Sequence, residues 1–135
     1  MRIWSALFLA WPALAGAAPL DCTAERVCLA GFEATCEAIE VVYSLDPGKE
    51  VGDKLVMTTE EGERSYEFRR LPKAEGVRVQ GAGGALEAGQ GAGAMTVFDD
   101  LSFLLTRHAL LPGAADPDER MPVSISIHGR CEEAE

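Results

Sequence analysis

The chain is short of positive charge. Its 135 residues hold 12 Lys plus Arg against 22 Asp plus Glu, a formal charge of −10. A nucleic acid or an anionic membrane surface calls for a basic face, so neither is expected as a partner. Histidine is scarce as well, with His108 and His128 the only two. The four cysteines include no Cys-x-x-Cys pair, which removes the usual redox motif and the close-set ligand spacing of a structural zinc site. No Gly-Lys-Ser/Thr occurs, so there is no P-loop. Beyond residue 17 no segment carries a convincing helical period. Helix formers do occur between Ala24 and Ile39, where a short helical turn around Ala34 is an option.

What is present is the composition of one globular domain, with 47% hydrophobic and 25% charged residues. The first segment reads differently from the rest. Met1-Arg2 is followed by an apolar run from Ile3 to Leu14 and then by Ala15-Gly16-Ala17-Ala18. That order of charged, apolar and small residues is expected of a secretory leader cleaved after Ala17. The run falls short of the roughly 20 residues that span a bilayer, and no cysteine follows it to carry a lipid. The expectation is therefore a leader over 1–17, a single β domain over 18–135, no membrane anchor after cleavage, and a periplasmic or secreted address. Trp4 and Trp11 both lie in the leader, leaving Tyr43 and Tyr66 as the strong ultraviolet absorbers of the mature chain.

In an exported chain of this size, four cysteines read as two disulfides. Cys22, Cys28 and Cys36 lie near one end and Cys131 near the other. Every connectivity therefore includes one long-range bridge to Cys131, closing a loop of about 100 residues worth up to ~4–5 kcal/mol by chain entropy. Two pairings lead: Cys28–Cys36 with Cys22–Cys131, and, close behind, Cys22–Cys28 with Cys36–Cys131.

Between the cysteines the chain reads as short strands. Ile39, Val41, Val42 and Tyr43 form one strand-forming run, ended by Asp46-Pro47-Gly48. Lys54–Thr59 and Arg64–Arg70 flank Glu60-Glu61-Gly62-Glu63 as a hairpin, with Tyr66 and Phe68 alternating against Glu67 and Arg69. Gly76–Gln80, Met95–Phe98 and Leu101–Ala109 follow, the last two separated by Asp99-Asp100. After a loop from Leu111 to Arg120, Val123, Ile125 and Ile127 alternate with Ser124, Ser126 and His128. About seven strands running as a meander predict an all-β fold, a small antiparallel sandwich or half-closed barrel stabilised by two disulfides. The expected core is Val41, Tyr43, Leu55, Met57, Tyr66, Phe68, Val77, Val79, Val97, Phe103, Leu105, Val123, Ile125 and Ile127.

The stretch 81–94 holds six glycines and five alanines and is expected to be a flexible surface loop. It contains Gly89-x-Gly91-x-x-Ala94, a formal match to a dinucleotide fingerprint. That fingerprint must open a helix, whereas here Met95–Phe98 reads as a strand, so no cofactor is expected.

No constellation for chemistry emerges. Phe103 and Leu105 mark the odd face of their strand as core, placing His108 outside, and the same parity places His128 outside. Faces match only if paired residue numbers sum to 230 or 232. A sum of 232 sets His128 opposite Leu104, ~13 Å from His108, too far for one metal or one acid–base pair. Ser126 and His128 share a face without an orienting carboxylate. Asp116-Pro117-Asp118-Glu119 is acidic but lacks the alternating ligands and central glycine of a calcium loop. Arg69, Arg70 and Arg107 are cations for an anionic group, or else a solvated strand edge.

Cys22, Cys28 and Cys36 after a leader, then Met95-Thr96-Val97-Phe98, Leu104-Leu105-Thr106-Arg107-His108 and His128-Gly129-Arg130-Cys131-Glu132, resemble small disulfide-bonded periplasmic β proteins of Gram-negative bacteria. The resemblance implies an exported address and disulfides. It carries no activity and transfers no catalytic residue. Such a protein would have Asp-Gly at the turn where Asp99-Asp100 stands, which leaves the turn type open.

The expectation for function is a non-catalytic binding or interaction module for an envelope protein or a small ligand. Its possible binding surface is the strand end around Arg107, His108, Leu110 and Leu111, together with the 81–94 stretch. The alternative is a small periplasmic hydrolase using His108 or His128.

Overall fold

A computed structural model describes residues 18–83, 90–113 and 115–134. The expected leader and the middle of the glycine-rich stretch, 84–89, lie outside the described residues. Eight strands follow one another: β1 Leu20–Ala30, β2 Ala34–Asp46, β3 Lys54–Thr59, β4 Arg64–Arg70, β5 Val77–Gly83, β6 Gln90–Phe98, β7 Ser102–Pro112 and β8 Arg120–Glu133. Each pairs antiparallel with the next, and β1 pairs with β8, so a single sheet closes on itself in a ring. The ring is not a regular barrel. Bulges interrupt several ladders, among them one at Glu25 that shifts the pairing of β1 with both β2 and β8.

The all-β antiparallel expectation holds, with the ring chosen over the sandwich and eight strands in place of about seven. The added strand is β1. Leu20, Cys22 and Ala24 alternate inward and are fully buried, but two cysteines' spacing and the helix formers around Ala24 hide that pattern. No helical turn forms at Ala34, which instead opens β2. Pairing on both sides of β1 overrides weak local helix propensity there. The expected loop over 81–94 is also shorter than supposed, because Gly81–Gly83 complete β5 and Gln90–Ala94 begin β6. Glycine is poor in strands on its own, yet at Gly93 a β-carbon would press on the Thr106 carbonyl oxygen and the Arg107 Cβ. The close approach of β6 to β7 therefore requires it.

Inside the ring, twelve of the fourteen expected core residues are buried, and Val41 and Tyr66 pack half-buried against them. Leu20, Cys22, Ala24, Leu45, Met95 and Cys131 complete the core. The outward positions carry charged and hydroxyl side chains such as Asp21, Thr23, Glu67, Ser124 and Arg130. Among the described residues, no helix is long and apolar enough to cross a membrane.

Two disulfides join Cys22 to Cys131 and Cys28 to Cys36. The first is buried inside the ring and ties its first strand to its last; the second lies on the outer face of the β1–β2 hairpin. Both suit an oxidising, exported environment.

Candidate binding end of the ring

The two ends of the ring are filled unequally. Where β1 begins and β8 finishes, Leu20, Leu45, Leu55, Val97 and Phe103 are at most 2% exposed. At the opposite end, where β1 runs into β2, Val27, Ile39, Val41, Ala109, Leu111 and Met121 are only partly buried and pack against the core. This end is the less buried of the two.

Arg107 sits between the two. In β7, Phe103, Leu105 and Arg107 share the inward face, so strand parity sends a guanidinium into an apolar interior. It crosses the ring from β7 to β4, with its Cζ 5.3 Å from the centre of the Tyr66 ring. Its Nε is enclosed by protein and has no hydrogen-bond partner among the described residues. Tyr66 meets Tyr43 edge-on, with centroids 5.9 Å apart and planes at 66°, and stacks on Phe68 at 6.4 Å. Burial pushes the Tyr43 phenol up to about 12. The nearby Tyr66, which also shares a hydrogen bond with it, adds to the shift, and the Arg107 charge partly offsets it.

The four residues expected to form one surface divide between two faces. Arg107 and Leu111 point inward, whereas His108 and Leu110 are exposed on the outside. The β7–β8 register is the one whose paired numbers sum to 232, with Leu104 opposite His128 and His108 opposite Ser124. Both histidines are exposed and four ladder positions apart. Neither forms an ion pair with a carboxylate among the described residues. Ser126 faces outward as well, beside Cys28.

The remaining candidates are structural. Arg70 donates to the carbonyls of Pro47 and Gly48, and Arg69 to that of Gly52, so both brace the turn between β2 and β3. Asp116 accepts from the Asp118 N–H at 3.0 Å, closing its own turn. Among the described residues no group of three or more His, Cys, Asp or Glu side chains converges on a point. Around the β1–β2 ladder, Glu25, Arg26, Cys36, Glu37 and Ala38 line a cavity of about 170 Å³, where Arg26 Nη2 donates to Cys36 Sγ at 3.2 Å.

Arg107 was within reach of sequence reasoning. The parity that sent His108 outside sends its predecessor inside, and an inward cation on a core strand is the signal. The contact with Tyr66 was not legible, because it depends on which strands face each other across the closed ring. No family model, curated protein or solved structure matches the chain.

Proposed function

We propose that the protein is an exported, non-catalytic binding module of the periplasm or extracellular space, and that it takes a small ligand at the less buried end of its ring. The observation that carries this reading is the enclosed, unpartnered Nε of Arg107 beneath half-buried apolar side chains. Eight-stranded rings are wide enough to hold either packed side chains or one small molecule. Here one end is fully buried and the other sets one inward cation among half-buried apolar side chains, the mix of residues that lines small-ligand sites. The two disulfides support an oxidising address.

A hydrolase built on His108 or His128 would need a carboxylate within about 3 Å of the imidazole and a concave setting. Neither histidine has such surroundings among the described residues, and no observation favours that reading.

The test is titration of the folded protein with Nile red, an uncharged apolar dye. Saturable one-to-one binding with enhanced fluorescence is the expected result, weakened when Leu111 and Met121 are replaced by Asp. Absence of saturable binding overturns the proposal.

A further inference from the structure

We infer that the ligand is a single-chain amphipathic carboxylate, its carboxylate held by Arg107 inside the ring and its apolar chain running outward between Val27, Ile39, Val41, Ala109, Leu111 and Met121. The inference rests on the reading of this end of the ring as a binding site.

Its first support is the cost of what is there. A guanidinium half-withdrawn from water beside apolar side chains loses part of its hydration, which something must compensate. The Tyr66 ring face offsets part of the charge through a cation–π contact. A ring face does not satisfy the remaining N–H groups, however, and Nε is left with nothing to donate to among the described residues. A carboxylate matches the guanidinium, since it accepts two parallel hydrogen bonds from the N–H groups of the planar fork.

The second support is that the surroundings select a weakly charged anion. Glu37 lies opposite Val27 in the β1–β2 ladder and is exposed near the same end, and the chain as a whole carries −10. A phosphate, with nearly two charges, would meet that field with one cation to hold it. Arg69 and Arg70 are engaged with the turn between β2 and β3 and do not reach the interior. A single negative charge paired with a single guanidinium leaves no excess. The third support is the lining, whose half-buried apolar side chains would be covered by a hydrocarbon chain leaving Arg107 toward solvent.

The experiment compares dodecanoate with its methyl ester, which has a similar chain and no charge, by calorimetry and by displacement of Nile red, in the native protein and in Arg107→Met. Native protein should bind the acid about 10- to 100-fold more tightly than the ester. In Arg107→Met the two should bind alike, with Nile red still held. Far-ultraviolet circular dichroism checks that the variant is folded, and the acid–ester comparison in native protein needs no variant. Equal binding of acid and ester by native protein overturns the inference but leaves the binding site standing. An advantage of the acid that survives in Arg107→Met overturns it in the same way. Failure of acid, ester and Nile red alike removes the site itself.

Discussion

Burial alters the chemistry of Tyr43, and the charge of the inward Arg107 offsets only part of the effect. Tyr43 keeps its proton up to about 12, whereas an unperturbed tyrosine loses it near 10.0. Between those values the unfolded chain binds fewer protons than the folded one, so this group makes stability fall as pH rises from about 10 toward about 12. Below that window it has no effect on the balance. Denaturant midpoints measured across it should decline in the native protein and decline less in Tyr43→Phe. Tyrosinate absorbance should show the high step disappear in the same variant. Gly129 presents a different single-residue constraint. It sits in register with Ala24 on one side and Phe103 on the other, and a β-carbon there would strike the Thr23 carbonyl oxygen and the Phe103 ring. Because backbone must move to admit a methyl group, Gly129→Ala should cost about 1–3 kcal/mol by urea unfolding. A neutral result would mean that β1 and β8 approach less closely than described.

At the level of strands and their connections, carboxylates organise the turns. Asp100 Oδ1 accepts from the Ser102 N–H at 2.9 Å and the Ser102 hydroxyl at 2.6 Å, and these bonds hold its carboxyl below the usual 3.8. Asp53 Oδ2 accepts from the N–H groups of Glu50 and Lys49, both at 2.9 Å, with the same consequence. Groups depressed in the folded state stabilise it above the unfolded value and lose that contribution as pH falls below about 3.8. Acid unfolding of the double variant Asp53→Asn/Asp100→Asn should therefore show a shallower dependence on pH in that range than the native protein.

These turns also mark how far local sequence carries. Lys54–Thr59 and Arg64–Arg70 form strands with the expected ends, because alternation and a Glu-Gly turn act over a few residues. The β6–β7 turn has no glycine at its left-handed position. Leu101 takes φ of 66° there, with Asp100 bonded across the turn and the leucine packed on the core. Tertiary packing outweighs a local preference in this case, and no dipeptide rule anticipates it. The strand β1 was hidden for a related reason, since its partners β2 and β8 lie far apart in the chain. The faces of β7 were readable by parity, but the meeting of Arg107 with Tyr66 across the interior was not.

The whole molecule is governed by closure. Cys22–Cys131 fastens the seam between the first and last strands from inside, spanning 109 residues, while Cys28–Cys36 spans 8 on the surface. In the chain-entropy account the long bridge contributes up to about 4–5 kcal/mol and the short one about 2–3. Replacing both cysteines by alanine should follow that order in thermal unfolding, with the Cys22/Cys131 variant losing more. Under a mild reductant at native pH the exposed Cys36 side should open first, and mass spectrometry after alkylation should find Cys28 and Cys36 labelled while Cys22 and Cys131 stay protected. Simultaneous labelling of all four would mean that the seam opens as readily as the surface.

Because a sulfur link lies so near both limits of the sheet, the domain is almost a covalent circle. A protease that cuts one hairpin turn between Cys36 and Cys131 produces no separate fragments, only a linear molecule with its break in a new place. All its strands stay tethered at the original effective concentration and can reassemble in the same order. In the oxidising surroundings that the two disulfides suit, such a cut is survivable damage rather than loss of the domain.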